Sequence, residues 1–216
     1  MDAPDYWCNA QEVLSARCPV MRGLIASAGP VALQARGDPY QTLARSIVGQ
    51  QISVKAAASV WARFEAACVG KPEAVRVADM SLDCLRACGL SERKAQYLKD
   101  LSQRFVDGSL QPQTWADLND EAVIADLIKV RGIGRWTAEM FLIFNLLRSD
   151  VWPLDDVGLL RAIGIHWSED PEAALKDRRF KASRQEAAAL GERLRPWRSV
   201  ATWYLWRSLD PEPVSY

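Results

Sequence analysis

A Gly-x-Gly turn between two apolar stretches is the first feature of this sequence that could bind a ligand. The turn is Arg131-Gly132-Ile133-Gly134, and apolar residues recur at helical spacing both before it, from 120 to 130, and after it, from 135 to 147. The start of a helix presents unpaired backbone amides, and glycines let a phosphate approach the bare backbone. The spacing therefore indicates an anion site, although a plain helix connection is the simpler explanation of a Gly-x-Gly pattern taken alone.

Two adjacent carboxylates, Asp155 and Asp156, form the second candidate for chemistry. The apolar spacing after them predicts a helix from Val157 to Ile163, so both lie at a helix start. There the helix dipole and the free amides favour an ionised carboxylate, which can serve as a fixed negative charge. A helix cap is the alternative role for either residue.

The histidine and cysteine content excludes several other chemistries. His166 is the only histidine, so it cannot build a histidine metal site, and nothing around it supports a serine-histidine-aspartate triad. The five cysteines lack the paired spacing of a zinc site and are expected to be reduced thiols. The sequence has no apolar run of about 18 residues and no basic-then-apolar amino terminus, so we expect no membrane span and no secretory signal.

The net charge of the 216-residue chain is formally zero, which by itself argues against a nucleic-acid partner. The charge is uneven, however. Between Lys176 and Arg207 nine basic residues stand against three acidic ones, an excess of six positive charges. This run is either a solvated helix face or part of a nucleic-acid footprint.

Helical periodicity fills the chain, and strand signals are scarce. With 49% hydrophobic residues, the sequence predicts an all-α protein of one or two compact domains. We predict eleven helices, over Trp7 to Cys18, Val20 to Ala28, Tyr40 to Gln50, Ser53 to Cys68, Leu82 to Ala87, Ser91 to Val106, Glu121 to Val130, Arg135 to Leu147, Val157 to Ile163, Arg184 to Leu194 and Pro196 to Trp206.

Four blocks of the sequence together resemble one protein family. They are LARSIVGQQISVKAA (43–57), LIKVRGIGRWTA (127–138), DVWPLDDVG (150–158) and RPWRSVATWYLW (195–206). In this order they resemble the helix-hairpin-helix (HhH-GPD) DNA glycosylases, and in particular the 3-methyladenine DNA glycosylase II family. The resemblance extends from about Asp38 to Trp206.

The resemblance implies a helix-hairpin-helix DNA glycosylase fold, with two helical subdomains and the active-site cleft between them. Residues 38–147 are expected to form a six-helix bundle that contains the helix-hairpin-helix at about 121–147. Residues 1–37 and 148–216 are expected to form the second subdomain, which carries the catalytic aspartate. Larger bacterial members add an amino-terminal β domain, which we do not expect in this sequence.

The resemblance also implies how the carboxylates are used. Breaking a C1'–N glycosidic bond passes through an oxocarbenium-like transition state, which needs a fixed negative charge. The family's catalytic aspartate stands two residues before the glycine of Asp-Val-Gly, which corresponds to Asp156. Asp155 is expected to support it by capping or positioning.

The residue at the hairpin position of the family's catalytic lysine predicts the reaction type. Bifunctional relatives place a lysine there that attacks C1' as an amine. Trp136 occupies this position here, and its neighbours Arg135 and Thr137 offer no usable amine. Water is therefore the expected nucleophile, with no lyase activity. We expect no iron-sulfur cluster and no required cofactor, because the four closely spaced cysteines of such clusters are missing.

The resemblance places aromatic residues in a base pocket. Alkylated purines carry a positive charge that an electron-rich ring binds through its face. Trp136 and Trp206 align with pocket aromatics, Met140 stands where relatives often have another, and Tyr40 is a further pocket candidate. A tryptophan at helical spacing is, without the resemblance, more often a core residue.

Two segments are expected to contact DNA. One is the hairpin, through Gly132, Ile133, Gly134, Arg135 and Thr137, and the other is the turn that contains Gln50, Gln51 and Ser53. Gln51 holds the position of a residue that fills the gap left by a flipped base, although an exposed loop amide is the alternative reading. The resemblance also implies that the main-chain carbonyls of Val130, Arg131 and Ile133 hold a sodium or potassium ion that bridges to a phosphate.

These expectations describe a monofunctional DNA glycosylase of base-excision repair that excises alkylated purines of the 3-methyladenine and 7-methylguanine type. Its partner would be double-stranded DNA containing alkylated bases, and we expect a monomer that is cytoplasmic in a bacterium or nuclear in a eukaryote. Two alternatives remain: a glycosylase for deaminated or oxidised bases, and a non-catalytic helix-hairpin-helix module. Asp156 discriminates against the module, because a phosphate clamp has no need of a carboxylate beside DNA.

Overall fold

The described residues of the chain form helices and no strands. The computed structural model describes residues 3–35 and 37–209, which contain thirteen α-helices and one short 3-10 helix, Pro112–Thr114. The α-helices are α1 (Trp7–Arg17), α2 (Pro19–Ala28), α3 (Pro39–Gly49), α4 (Val54–Ala67), α5 (Ala74–Asp79), α6 (Leu82–Ala87), α7 (Glu92–Val106), α8 (Asp120–Leu127), α9 (Arg135–Phe144), α10 (Val157–His166), α11 (Pro171–Lys176), α12 (Arg184–Arg193) and α13 (Arg198–Leu209). The all-α prediction is confirmed.

All eleven predicted helices have a counterpart, and two more are present. The additional helices, α5 and α11, have six residues each and bury one side chain each, Val77 and Ala174. So short an element shows no repeating apolar face. Helix α6 is equally short, but Gly89 marks the break that follows it. Helix α9 ends at Phe144, three residues before its predicted end at Leu147, whose φ is +52°.

The chain divides into two compact units. Unit 1 contains residues 3–35 and 142–209, and unit 2 contains residues 37–141. The second boundary lies at Leu142, whereas the sequence suggested a boundary after Leu147. Two contacts explain the difference: the Tyr6 hydroxyl donates to the Leu147 carbonyl at 2.8 Å, and Phe144 stacks on Trp206.

Unit 1 is organised around α13, which packs against α1, α2 and α10. Trp7 lies edge-on to Trp203 at a centroid distance of 5.3 Å, and the Gln11 amide donates to the Tyr204 hydroxyl at 2.6 Å. The irregular segment before α10 is fixed by two hydrogen bonds, from Val151 N to Ser199 Oγ and from Trp152 Nε1 to the Ala187 carbonyl, both 2.9 Å. These contacts determine where α10 begins.

Unit 2 is organised around α7, which packs against α3, α5 and α6. Seven helices begin in this unit rather than the six predicted for the bundle, because α5 is added. An aromatic contact links the segment after the 3-10 helix to α9, because Trp115 lies edge-on to Phe141 at a centroid distance of 5.2 Å. Among the described residues, no helix is long and apolar enough to span a membrane.

Candidate functional site

Asp156 is the N-cap of α10, and its side chain binds the start of that helix. Its backbone is extended (φ −78°, ψ 115°), and its Oδ1 accepts from Leu159 N at 2.5 Å. Although it is a carboxylate, Asp156 is only 9% exposed. A buried carboxylate requires donors that satisfy its charge, and free amides at a helix start provide them.

Trp206 of α13 supplies a second donor to the same carboxylate oxygen. Its indole Nε1 lies 2.8 Å from Asp156 Oδ1, and its ring stacks on Phe144 with centroids 5.9 Å apart and planes 15° apart. Gly158 gives this arrangement room, because a Cβ there would lie 3.1 Å from Oδ1 and 3.3 Å from the indole. The indole therefore positions the carboxylate. The sequence predicted only that Trp206 lines a base pocket and did not predict this contact.

Phe144 and Gly158 are site residues that sequence reasoning did not select. Phe144 stands on the apolar face of the helix after the hairpin, where it looks like any other core residue. Gly158 was noted only as the marker by which Asp156 is recognised. Phenylalanine and glycine have no acidic, basic or nucleophilic group. Their part in positioning Trp206 is therefore seen only from their contacts with its indole.

Asp155 has a different environment from its neighbour. Its side chain is about half exposed and forms an ion pair with Arg184 at the start of α12. An exposed pair of this kind contributes little to stability, about 0–1 kcal/mol. The structure thus separates the adjacent carboxylates into one buried helix cap and one surface ion pair.

Part of the basic run from Lys176 to Arg207 is neutralised within unit 1. Arg195 Nη1 and Arg198 Nε contact the Asp150 carboxylate at 2.9 and 2.7 Å, and Arg195 also pairs with Glu192. Together with the pair between Arg184 and Asp155, these contacts engage three of the nine basic residues. The excess of charge therefore overstates the positive surface that is available to a ligand.

The Gly-x-Gly sequence forms the tight turn between α8 and α9. Ile133 N donates to the Val130 carbonyl at 3.1 Å, and Gly132, at the third position of this turn, has a φ of +84°. A positive φ at this position is typical of a type II turn and favours glycine. Two further bonds hold the turn, from Arg131 N to Asp100 Oδ2 and from the Gln50 amide to the Gly132 carbonyl, both 2.8 Å.

The carbonyls expected to hold a cation differ in what they already accept. The Val130 oxygen accepts from Ile133 N, so it can offer a cation only its second lone pair. The adjacent Gly132 oxygen, which was not a candidate, accepts from Gln50. No group of three or more His, Cys, Asp or Glu side chains that could hold a metal occurs in the described part of the chain.

The first turns of α9 carry four predicted site residues in different environments. Trp136 is partly buried, whereas Thr137 and Met140 are each 8% exposed. Arg135 pairs with Glu121 at 2.5 Å and with Glu139 at 3.0 Å, and it remains about half exposed. Thr137 was expected to contact DNA, but the residue as a whole is buried.

Tyr40 is a core residue of unit 2 and not an accessible aromatic wall. It is 4% exposed, its hydroxyl is 2.8 Å from Ser102 Oγ, and its ring packs edge-on to Phe105 at 5.3 Å. Burial raises the pKa of the Tyr40 phenol well above its usual range. The prediction that Tyr40 lines a base pocket is wrong, because α3 turns this residue towards α7.

The turn between α3 and α4 carries the remaining predicted residues. Ser53 caps α4 by accepting from Ala56 N at 3.2 Å, so its hydroxyl is already engaged. Gln50 is partly buried and bonded to the hairpin, whereas Gln51 is exposed and has a φ of +57°. Gln51 and Ser53 are both exposed, and Ser53 already uses its hydroxyl in the cap of α4.

Comparisons with known proteins agree with this architecture. Residues 44–185 match the family described as HhH-GPD superfamily base excision DNA repair protein. DNA-3-methyladenine glycosylase 1 of Schizosaccharomyces pombe is 33% identical over 190 residues, which cover 86% of this chain and 78% of that relative.

Two solved structures share the fold. A DNA-3-methyladenine glycosidase from Bacillus halodurans superposes with a TM-score of 0.82 and 28% identity, covering 97% of this chain and 93% of the other. The 3-methyladenine DNA glycosylase of Schizosaccharomyces pombe, in complex with abasic DNA, gives a TM-score of 0.76 and 29% identity over 93% and 96% of the two chains. The predicted helix-hairpin-helix glycosylase fold is confirmed.

The two hairpin glycines should respond differently to substitution. A Cβ on Gly132 would overlap the Tyr97 ring and would require a positive φ, whereas a Cβ on Gly134 would meet no atom within 4 Å. We expect Gly132→Ala to lower the free energy of unfolding by about 1–3 kcal/mol and Gly134→Ala to change it by less than about 0.5 kcal/mol. Urea denaturation measures both, and equal losses would contradict this account of the turn.

Proposed function

Because this chain belongs to the HhH-GPD superfamily of base excision DNA repair proteins, we propose that it is a monofunctional DNA glycosylase that removes alkylated purines from duplex DNA. The observation that carries the proposal is the carboxylate of Asp156, which is buried and whose Oδ1 accepts from Leu159 N and from the Trp206 indole. A protein that only clamps phosphates gains nothing from a buried negative charge near DNA, since the charge repels the backbone.

The proposed reaction is hydrolysis of the bond between C1' and the purine nitrogen. As the bond breaks, its electron pair leaves with the base and positive charge develops on C1' and the ring oxygen. Asp156 supplies the opposite charge, and its two donors fix it beforehand, so it need not reorganise during the reaction. A water molecule then attacks C1' and loses a proton, which leaves an abasic sugar and the free base.

Alkylated purines are the substrate class that suits these residues. A purine methylated at N3 or N7 is positively charged, so it departs as a neutral base without help from a general acid. Trp136 is only partly buried, and an indole binds such a cation through its ring face. The relatives named as 3-methyladenine glycosylases support this choice. Deaminated and oxidised bases are neutral, so they are poorer leaving groups unless a proton is supplied to them.

Binding of DNA is proposed to use the hairpin backbone. The amides at the start of α9 and the open space at Gly134 suit a phosphate oxygen, which gives affinity without sequence preference. A sodium or potassium ion on the carbonyls of Val130, Arg131 and Ile133 would add positive charge at the same phosphate. The Gly134→Ala variant is suited to testing the contact, since a Cβ at this position meets no atom of the protein within 4 Å. We propose that the protein acts as a monomer.

Replacing Asp156 by asparagine should abolish most of the activity and keep the fold. Asparagine is as good an N-cap as aspartate, so α10 should keep its start. Without the counter-charge we expect base release to fall at least about a hundredfold, while duplex affinity stays the same or rises. The measurement is chromatographic analysis of bases released from methylated DNA in single turnover.

Asp155→Asn is the matched control for this experiment. It removes a carboxylate from the adjacent position and breaks only the surface pair with Arg184. Its rate should stay within about threefold of the parent, in keeping with the small contribution of an exposed pair. An active Asp156→Asn beside an inactive Asp155→Asn would transfer the catalytic role to Asp155. If the parent protein released no base from methylated DNA, the proposed function would be refuted.

Trp206→Phe should slow base release through loss of one hydrogen bond. Phenylalanine keeps the stack on Phe144 but cannot donate to Asp156. A hydrogen bond to a charged group contributes about 1.5–3 kcal/mol, so we expect a decrease of about 10- to 150-fold. Trp203→Phe is the control, because this neighbouring tryptophan packs on Trp7. Equal rates for the two variants would show that the indole N–H has no role in the reaction.

The end point of the reaction follows from Trp136. The hairpin position at which an amine could attack C1' carries an indole, so the product should be an intact abasic site. We expect no strand break until alkali or heat is applied, and no covalent protein-DNA adduct on treatment with borohydride. Either a nick at the lesion in neutral buffer or a borohydride-stable adduct would show that an amine of this chain reaches the sugar.

A further inference from the structure

A lysine of α7 binds the end of α3 at the point where the turn with Gln51 begins. Lys94 Nζ donates to the carbonyls of Val48 at 2.8 Å and Gln50 at 2.6 Å. The side chain is partly buried, and this burial lowers the pKa of the Lys94 amine. Placing a charged amine in such a position costs desolvation, which its two carbonyl partners offset.

The turn that Lys94 holds has an unfavourable backbone for its sequence. Gln50 (φ −53°, ψ 128°) is followed by Gln51 (φ +57°), and Ile52 N approaches the Gly49 carbonyl at 3.5 Å. These are the dihedrals of a type II turn with Gln51 at the third position, where glycine is normally found. A side chain there costs conformational energy and persists only if its surroundings hold it.

The bond from Lys94 acts on the dihedral that is under strain. The Gln50 carbonyl belongs to the peptide plane between the two glutamines, and the orientation of this plane fixes ψ of Gln50 and φ of Gln51. An ammonium bound to that oxygen therefore stabilises the turn in which Gln51 projects into solvent. In the hairpin turn the same position is Gly132, and no side chain has to be held.

The same face of α7 also supports the hairpin. Tyr97 packs directly against Gly132, and Asp100 Oδ2 accepts from Arg131 N at 2.8 Å. With Lys94 these residues are spaced by three along the helix, so they lie along one side of it. The Gln50 amide joins the two turns through the Gly132 carbonyl at 2.8 Å. Helix α7 thus fixes both turns within one rigid frame.

We propose that Lys94 is a positioning residue for base flipping, which holds Gln51 in the conformation that enters the DNA stack when the target base leaves. This inference rests on the proposed glycosylase function. Filling the gap compensates part of the cost of unstacking, and a side chain fixed beforehand does so without losing further entropy. Lys94 acts through Gln51 and does not touch the reacting atoms.

Lys99 provides a matched control on the same helix. Its Nζ donates to the carbonyls of Ala78 and Met80, the latter at 2.8 Å, at the end of α5. Lys94 and Lys99 thus make the same kind of contact, an amine that donates to one carbonyl in the last turn of a helix and one just beyond it. Only Lys94 contacts the turn that carries Gln51. Loss of Lys99 reports what such a bond contributes to the fold alone.

The test compares Lys94→Met with Lys99→Met in single-turnover release of bases from methylated duplex. A 2-aminopurine beside the lesion reports unstacking by its fluorescence. Misplacement by about 1 Å can lower a rate by up to about a hundredfold, so we expect Lys94→Met to lose between ten- and a hundredfold in release, together with the fluorescence change. Lys99→Met should keep both, and affinity for undamaged duplex should be unchanged in each variant.

A double mutant separates positioning from a general effect on the fold. If Lys94 acts through Gln51, then Lys94→Met combined with Gln51→Ala should be no slower than Gln51→Ala alone. Additive losses, or an equal loss in Lys99→Met, would overturn the proposal. Should Lys94→Met fail to fold, Lys94→Gln, whose amide can still donate to one carbonyl, is the second variant and should give an intermediate rate. An inactive parent protein would instead refute the glycosylase function itself.

Discussion

The hydrogen bonds to Asp156 Oδ1 are the interactions on which the proposed chemistry depends. A carboxylate at an N-cap commonly accepts hydrogen bonds from the unpaired amides at the start of a helix. Here the same atom also accepts from the Trp206 indole, so the charge is fixed by a helix start and by a second helix together. One residue therefore caps α10 and offers a preorganised negative charge, and its burial prevents water from screening that charge.

Much of unit 1 can be understood as support for this carboxylate. Trp206 can donate only if α13 is held in register, which its packing on α1, α2 and α10 achieves. The bonds from Val151 and Trp152 to α13 and α12 fix the segment that leads to Asp156. In unit 2 the corresponding frame is α7, which holds the hairpin turn and the Gln51 turn. Each unit thus uses one helix to position the segments that are proposed to act on DNA.

The sequence predicted eleven of the thirteen helices, the hairpin turn and the two candidate carboxylates, because periodicity and turn chemistry are local properties. It also predicted that Asp156 and Asp155 differ, but only through the resemblance, and the structure adds the physical reason in burial and partners. The environments of Tyr40 and Thr137 could not be predicted. An apolar face shows which side of a helix is buried. How deeply a single residue on that face is buried depends on which other elements pack against it.

The roles of Trp206 and Lys94 were also beyond the sequence, for a related reason. An indole nitrogen that donates to a carboxylate 50 residues away, and an amine that binds carbonyls 44 and 46 residues away, are long-range contacts. No spacing rule connects such residues. The resemblance offered Trp206 only as a pocket aromatic, and Lys94 is of a residue type that usually lies on a surface.

Binding of charged and neutral sugar analogues tests the central claim most directly, namely that Asp156 stabilises positive charge on the sugar. Two duplexes would be compared, one with a cationic pyrrolidine ring at the abasic position and one with a neutral tetrahydrofuran ring of the same shape. We predict that the parent protein prefers the cationic duplex by at least about tenfold in Kd, equivalent to about 1.4 kcal/mol, and that Asp156→Asn loses this preference. An equal preference in both proteins would contradict the account, because the charge would then be recognised by some other group.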